Sequence, residues 1–154
     1  MGRRQLLRLA QTVLTLIGEP SADISVSFVG DRRMRRLNHR FRRKDRRTDV
    51  LAFAFREGRA PHDFNRTAAH LGDVVIALPF AQRQAKAAQR PLEEEVVALL
   101  IHGVLHLCGY DHERGRAEAR RMRRKEGQIR RRLGPIGRFV HARHKMLLET
   151  KREV

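Results

Sequence analysis

Tryptophan is absent from this chain, tyrosine occurs once and cysteine occurs once. A lone Cys108 excludes an intramolecular disulfide, so the chain suits a reducing compartment. Seven phenylalanines complete the aromatic set. They are too few and too scattered along the sequence to suggest a base-stacking platform. Acid is also scarce: 17 Asp and Glu face 34 Lys and Arg, a formal net charge of +17 with a pI near 11.7. That field favours polyanionic partners, nucleic acid or an anionic membrane surface. No stretch approaches the roughly 18 apolar residues of a membrane-spanning helix, and no membrane partner is expected.

What is present is enough for one domain. The 154 residues can bury a real core and are short for two. The opening MGRRQLLRLAQTVLTLIG has the paired arginines of a twin-arginine signal and the lack of acids of an organelle presequence. Arg8 and Gln11 interrupt any apolar run, however, while Leu6, Ala10, Val13, Leu14 and Ile17 recur at helical spacing. An amphipathic first helix of the fold is the better reading.

After Gly18 and Pro20, residues 24–29 alternate as a half-buried strand. Asp31 can cap a short helix with Met34 and Leu37 inward. Residues 32–47 carry ten basic side chains against Asp45 alone, a net +9. Residues 48–55 read as a second strand, 56–70 as a loop, 72–78 as a third strand, and Pro79 opens a helix through Gln89. Pro91 and the acids Glu93 to Glu95 then start an almost wholly apolar helix, which should be buried and central. Gly109 ends it. A further helix spans 114–133. In the last twenty residues Phe139, Val140, Met146, Leu147 and Leu148 are expected to form a short docking helix.

The central helix runs into HGVLHLCGYDH, residues 102–112. His102 and His106 stand a turn apart on one helix face, and the break at Gly109 returns His112 toward them. Three neutral imidazoles with a fourth position open to water describe a catalytic zinc site better than a closed structural one. Cys108, the nearby candidate to close it, points away on helical geometry. His39, His62 and His70 lie in polar surroundings, and His141 with His144 reads as a solvated tail. The spacing H-x3-H-x2-G-x2-H is also that of metzincin peptidases, but their general-base glutamate follows the first histidine, and here that residue is Gly103.

HGVLHLCGYDH resembles the H-G-x-L-H-L-x-G-Y-D-H signature of the YbeY family of bacterial rRNA-maturation endoribonucleases. LNHRFRRKDRRTDVLAF (37–53) and LGDVVIA (71–77) are similar to two further blocks of that family, and the pattern continues through Met122, Glu126 and Gly134. The resemblance implies an α+β fold, a small mixed β-sheet packed by helices with a buried central helix carrying the metal-binding histidines, over residues 1–134, followed by a basic C-terminal extension, 135–154. It implies one Zn2+ per chain held by His102, His106 and His112, a zinc-bound water, and Arg42 as a phosphate clamp beside the metal. It further implies single-strand-specific RNA cleavage in 16S rRNA 3′-end maturation, ribosome assembly and quality control, with rRNA of the small subunit, ribosomal proteins or assembly GTPases as partners. Arg43, Lys44, Arg46 and Arg47 would add to the RNA track, and Asp111 is a candidate to orient an imidazole, a loop-capping role being the alternative.

Departures sit beside these. Arg47 replaces the proline before the TDV triplet, and Ala52 the serine after it. The family's usual first strand has no counterpart before the first helix, so an edge strand is expected to be missing. Two other functions fit the same residues: an RNA-binding assembly factor with a mainly structural zinc, and a metzincin-like peptidase.

Overall fold

A computed structural model describes residues 2–42, 48–55, 70–136 and 147–149. Helix α1 (Gly2–Ile17) leads to strand β1 (Asp23–Val29), helix α2 (Asp31–Arg42), strands β2 (Val50–Ala54) and β3 (His70–Ala77), and helices α3 (Leu78–Ala87) and α4 (Leu92–Leu107). A single 3-10 turn (His112–Arg114), helix α5 (Arg116–Leu133) and strand β4 (Leu147–Glu149) follow. The sheet order is β2-β3-β1-β4, with β1 and β3 parallel and both outer strands antiparallel. The fold is therefore α+β with a mixed sheet, as the sequence implies.

Side-chain alternation assigns the two faces of this sheet. Ile24, Val26 and Phe28 of β1 with Val74 and Ile76 of β3 enter the main core beneath α1, α4 and α5. Leu51 of β2 with Val75 and Ala77 of β3 face the other way, into a smaller core with Met34 and Leu37 of α2. Leu6, Ala10, Val13 and Leu14 are all buried in the main core, so the first helix is an integral layer of the fold.

Helix α4 is the centre of the packing. Val96, Val97, Leu99, Leu100, Ile101, Val104, Leu105 and Leu107 are buried around its circumference, and it touches α1, α3, α5, β2 and β3. Burying that many aliphatic side chains, at about 1.5–3 kcal/mol each before the entropy of ordering, makes it the largest contributor to the core.

The chain's end departs from expectation. Leu147 and Leu148, expected in a helix, lie instead in β4, antiparallel to β1 with Val26 opposite Leu148. A three-residue strand has no local signature to distinguish it from a helical turn. Its backbone partners on the open edge of β1 decide the outcome. The edge beside β1 is thus occupied from the C-terminal side, while Phe139, Val140 and Met146 lie outside the described residues.

Where β2 meets β3, Gly72 has φ +147°, and a Cβ there would lie 2.0 Å from the Phe53 carbonyl oxygen. Backbone cannot yield to that contact as a side-chain tip can. Gly72→Ala is expected to destabilise the fold by about 2–4 kcal/mol, read as a lower urea midpoint at unchanged m-value; a midpoint within error of the parent would show that this approach does not hold the strand pair.

Candidate metal centre

The first two histidines stand on the buried helix, and the third returns to them through the helix end. Gly109 has φ +94°; its N–H donates to the His106 carbonyl at 3.0 Å and the Tyr110 N–H to the Leu105 carbonyl at 3.1 Å. This paired closure is the glycine-dependent helix stop expected at that position. The chain then turns, Asp111 caps the 3-10 turn by accepting the Glu113 N–H at 2.9 Å, and His112 faces the helix again.

The result is three ring nitrogens drawn together. His106 Nε2 lies 3.2 Å from His102 Nε2 and 3.1 Å from His112 Nδ1, and one atom from each ring lies within 4.8 Å of the others. A tetrahedral zinc with bonds of about 2.0–2.1 Å sets its ligand atoms about 3.3 Å apart. Hydrogen bonding alone accounts poorly for the arrangement. An imidazole nitrogen carries either a proton or a lone pair, so His106 Nε2 cannot serve both neighbours at once. A cation facing all three lone pairs resolves the conflict, and the donor set fits zinc with a position left over.

The carboxylate that orients these rings is not Asp111. Asp111 spends its oxygens on the Glu113 N–H and, at 3.4 Å, on Arg114. Its carboxyl is held below the usual range, chiefly by that backbone hydrogen bond and, less, by the neighbouring Arg114. Asp111 thus takes the loop-capping role. Glu126 of α5 instead places Oε1 2.5 Å from His102 Nδ1. A carboxylate there fixes the ring and its tautomer, leaving Nε2 as the free donor atom toward the cluster. Glu126 lies between the buried Met122 and Ile129 on the inner stripe of α5, and that helical spacing is the signal from which its inward position can be read.

The histidines open onto a cavity of about 330 Å3 lined by Asn38, Thr48, Asp49, Val50, Leu51, Ala52, Gly103 and Glu113 besides the three ligands. Asn38 is a buried polar residue of α2. Asp49 accepts from Gln84 Nε2 at 3.3 Å, and Thr48 Oγ1 donates to the Val50 carbonyl at 3.4 Å, so both are tied to the wall they form. Asn38, Glu113 and Gln84 are site residues that sequence reasoning did not single out. Arg42 ends α2, four residues after Asn38, while Arg43, Lys44, Arg46 and Arg47 lie outside the described residues. Cys108 packs against the main core and is not in the cluster. His70 is bound elsewhere, between Asp23 at 2.5 Å and Asp73 at 3.4 Å; His39 is exposed on α2, and His62, His141 and His144 are outside the described residues.

Gly103 also bears on the peptidase alternative. A Cβ at this position would meet Val74 Cγ1 at 2.7 Å and Val50 Cγ2 at 3.5 Å, so the helix lies against the sheet where a peptidase carries its glutamate. A general base at position 103 would require Val74 or α4 to shift.

Comparison with known proteins gives the chain's family. A family model described as Endoribonuclease YbeY matches residues 2–134. An Anaeromyxobacter protein named endoribonuclease YbeY is 46% identical over 136 residues, covering 87% of this chain and 66% of its own length. One from Geobacter sulfurreducens with the same name is 44% identical, covering 84% and 85%. The solution structure of a Thermotoga maritima protein superposes with a TM-score of 0.55 at 26% identity, covering 82% of this chain and 79% of that one.

Glu126→Gln is expected to keep the fold and to weaken zinc binding about 10–100-fold, measured by competition with a chromophoric chelator. Unchanged affinity would remove Glu126 from the centre.

Proposed function

This chain belongs to the YbeY endoribonuclease family, and from that premise we propose that it is a zinc-dependent endoribonuclease that cuts single-stranded RNA in maturing the 16S rRNA 3′ end. The observation that carries this reading is the convergence of His102, His106 and His112 on one point at the mouth of a polar cavity. One zinc per chain, held by these three, supplies Lewis-acid stabilisation of charge at a phosphate oxygen and makes water a better nucleophile.

The chain's own residues do the rest. Glu126 holds His102 so that Nε2 faces the cluster. Arg42, one helical turn beyond the cavity residue Asn38, would present a planar fork to the negative charge that develops on the scissile phosphate. Asp49, pinned by Gln84, and Glu113 line the cavity as carboxylates; a proton acceptor is sought among these two and water. Exposed arginines of α2 and α5, among them Arg36, Arg40, Arg120 and Arg124, supply the electrostatic part of RNA binding. Ribosomal proteins or assembly GTPases of the small subunit would then supply sequence specificity, and the site of action is the cytoplasm, with a part in ribosome assembly and quality control. Residues 1–134 form the nuclease unit on this reading, with 135–154 a basic extension that lends β4 to its sheet.

The test is metal content and RNA cleavage of the purified chain beside His106→Ala and Arg42→Glu, each checked for folding. The parent is expected to carry about one zinc and to cleave single-stranded RNA; His106→Ala loses both, and Arg42→Glu keeps zinc while losing about 100–1,000-fold in rate. Undiminished cleavage by Arg42→Glu rejects the clamp. Zinc without cleavage under any metal or ribosomal-partner condition favours the assembly-factor reading, as would a His112→Ala chain that folds, binds RNA and still supports rRNA processing.

A further inference from the structure

Outside the cavity, the described surface has an arrangement that the sequence hid. Phe41 and Phe55 are 55% and 59% exposed, the large apolar side chains left open among the described residues. Folding brings them into one row. Phe41, on the last turn of α2, meets Phe53 of β2 edge to face, with ring centroids 5.1 Å apart and planes at 69°. Phe55 follows Phe53 by two residues, and its N–H donates to the Leu71 carbonyl at 2.9 Å, which continues the strand pairing past Ala54. Two residues along an extended strand share a face about 7 Å apart. Phe55 in turn packs edge to face on His70 at 5.1 Å.

Both ends of this row can be located. Asn38 is one turn before Phe41, and Val50, Leu51 and Ala52 precede Phe53, so the row starts from the wall of the histidine cavity. It ends at His70, which is held between Asp23 and Asp73, carboxylates that repel phosphate. Along its length the charge is positive. Arg40 lies 5.4 Å over the Phe41 ring, and Arg32, Arg33, Arg35 and Arg36 are exposed on the same helix. Asp31, the one acid on α2, is engaged by Arg83 through two hydrogen bonds at 2.9 and 3.1 Å.

We propose that Phe41, Phe53 and Phe55 form a base-stacking track that holds the single-stranded RNA leading away from the histidine cavity. This rests on the nuclease reading and names how its substrate is held. Open aromatic faces beside exposed arginines match a flexible polyanion that carries flat apolar groups. A protein partner with an apolar face would have to bury those guanidinium groups without compensation. Phenylalanine has no hydrogen-bonding edge, so the track accepts any base and discriminates by strand form: bases already stacked in a duplex cannot lie on it.

The test uses the full chain carrying His106→Ala to prevent turnover, with fluorescence anisotropy on a mixed-sequence RNA 12-mer and an abasic oligomer of the same length. Phe41→Ala and Phe55→Ala, both at exposed positions, are expected to weaken RNA binding roughly fivefold or more each. Phe41→Trp and Phe55→Trp should retain it, the abasic oligomer should bind parent and variants alike, and the slope of affinity against salt should not change. Equal RNA binding by parent and alanine variants overturns the track, as does an equal loss on the abasic oligomer. Unchanged RNA binding with altered sedimentation would assign the face to a second copy of the chain and overturn it too. Cleavage by the chain with native His106 is measured separately. If it cuts no RNA while the phenylalanine variants still bind less, the nuclease reading fails and the track stands.

Discussion

Helix α4 lies so close to β3 that a side chain at position 103 would meet Val74, and the site follows from that contact. Gly103 stands over Val74 and Val50, and the apolar residues around it fill the space between the sheet and helices α1, α3 and α5. Because the core is close-packed, the helix can neither slide nor turn without opening a cavity or forcing an overlap. His102, beside Gly103, and His106, a turn further on, are thereby set past the rim of the sheet. They need little ordering of their own to hold an ion. The glycine that stops the helix and the Asp111 cap then bring His112 back across a five-residue interval, so the third ligand's position is fixed by backbone hydrogen bonds.

The same packing gives Glu126 its role. Helix α5 buries only Met122 and Ile129 firmly, and its remaining surface is arginine-rich and exposed. A carboxylate between those two apolar anchors reaches a polar group on α4, the Nδ1 of His102. The contact links α5 to the histidine cluster, so that an ion held by the three rings would also stabilise the docking of the last helix. Metal binding and the packing of α5 are therefore coupled in free energy, since each favours the same ring orientation.

What could be read from the chain alone was what is local. The histidine spacing, the apolar run of α4, the acids at its start and the glycine at its end are all within one stretch of about twenty residues, and each has a short-range physical cause. The alternation in β1 was legible for the same reason. Features that depend on distant pairing were not. Glu126 is 24 residues from His102; β4 is stabilised by an edge more than a hundred residues earlier; and Gln84 meets Asp49 only because α3 folds back along the sheet. The phenylalanines show the limit best. Phe41, Phe53 and Phe55 look scattered when counted along the chain, but α2 and β2 share the small core of Met34, Leu37 and Leu51, and that shared core puts their rings side by side.

These parts divide the work of recognition by range. The net charge of +17 acts over about a Debye length, near 8 Å at physiological salt, and raises encounter with any polyanion regardless of its sequence or strand state. Charge alone would leave a nuclease bound to duplex and single strand alike, in proportion to their phosphates. Aromatic faces act only on contact and only on bases that are free to leave their own stack. With the proposed track, a chain with few aromatics would select the form of its substrate without reading its sequence. The choice of phosphodiester is then left to whatever presents the single strand to it.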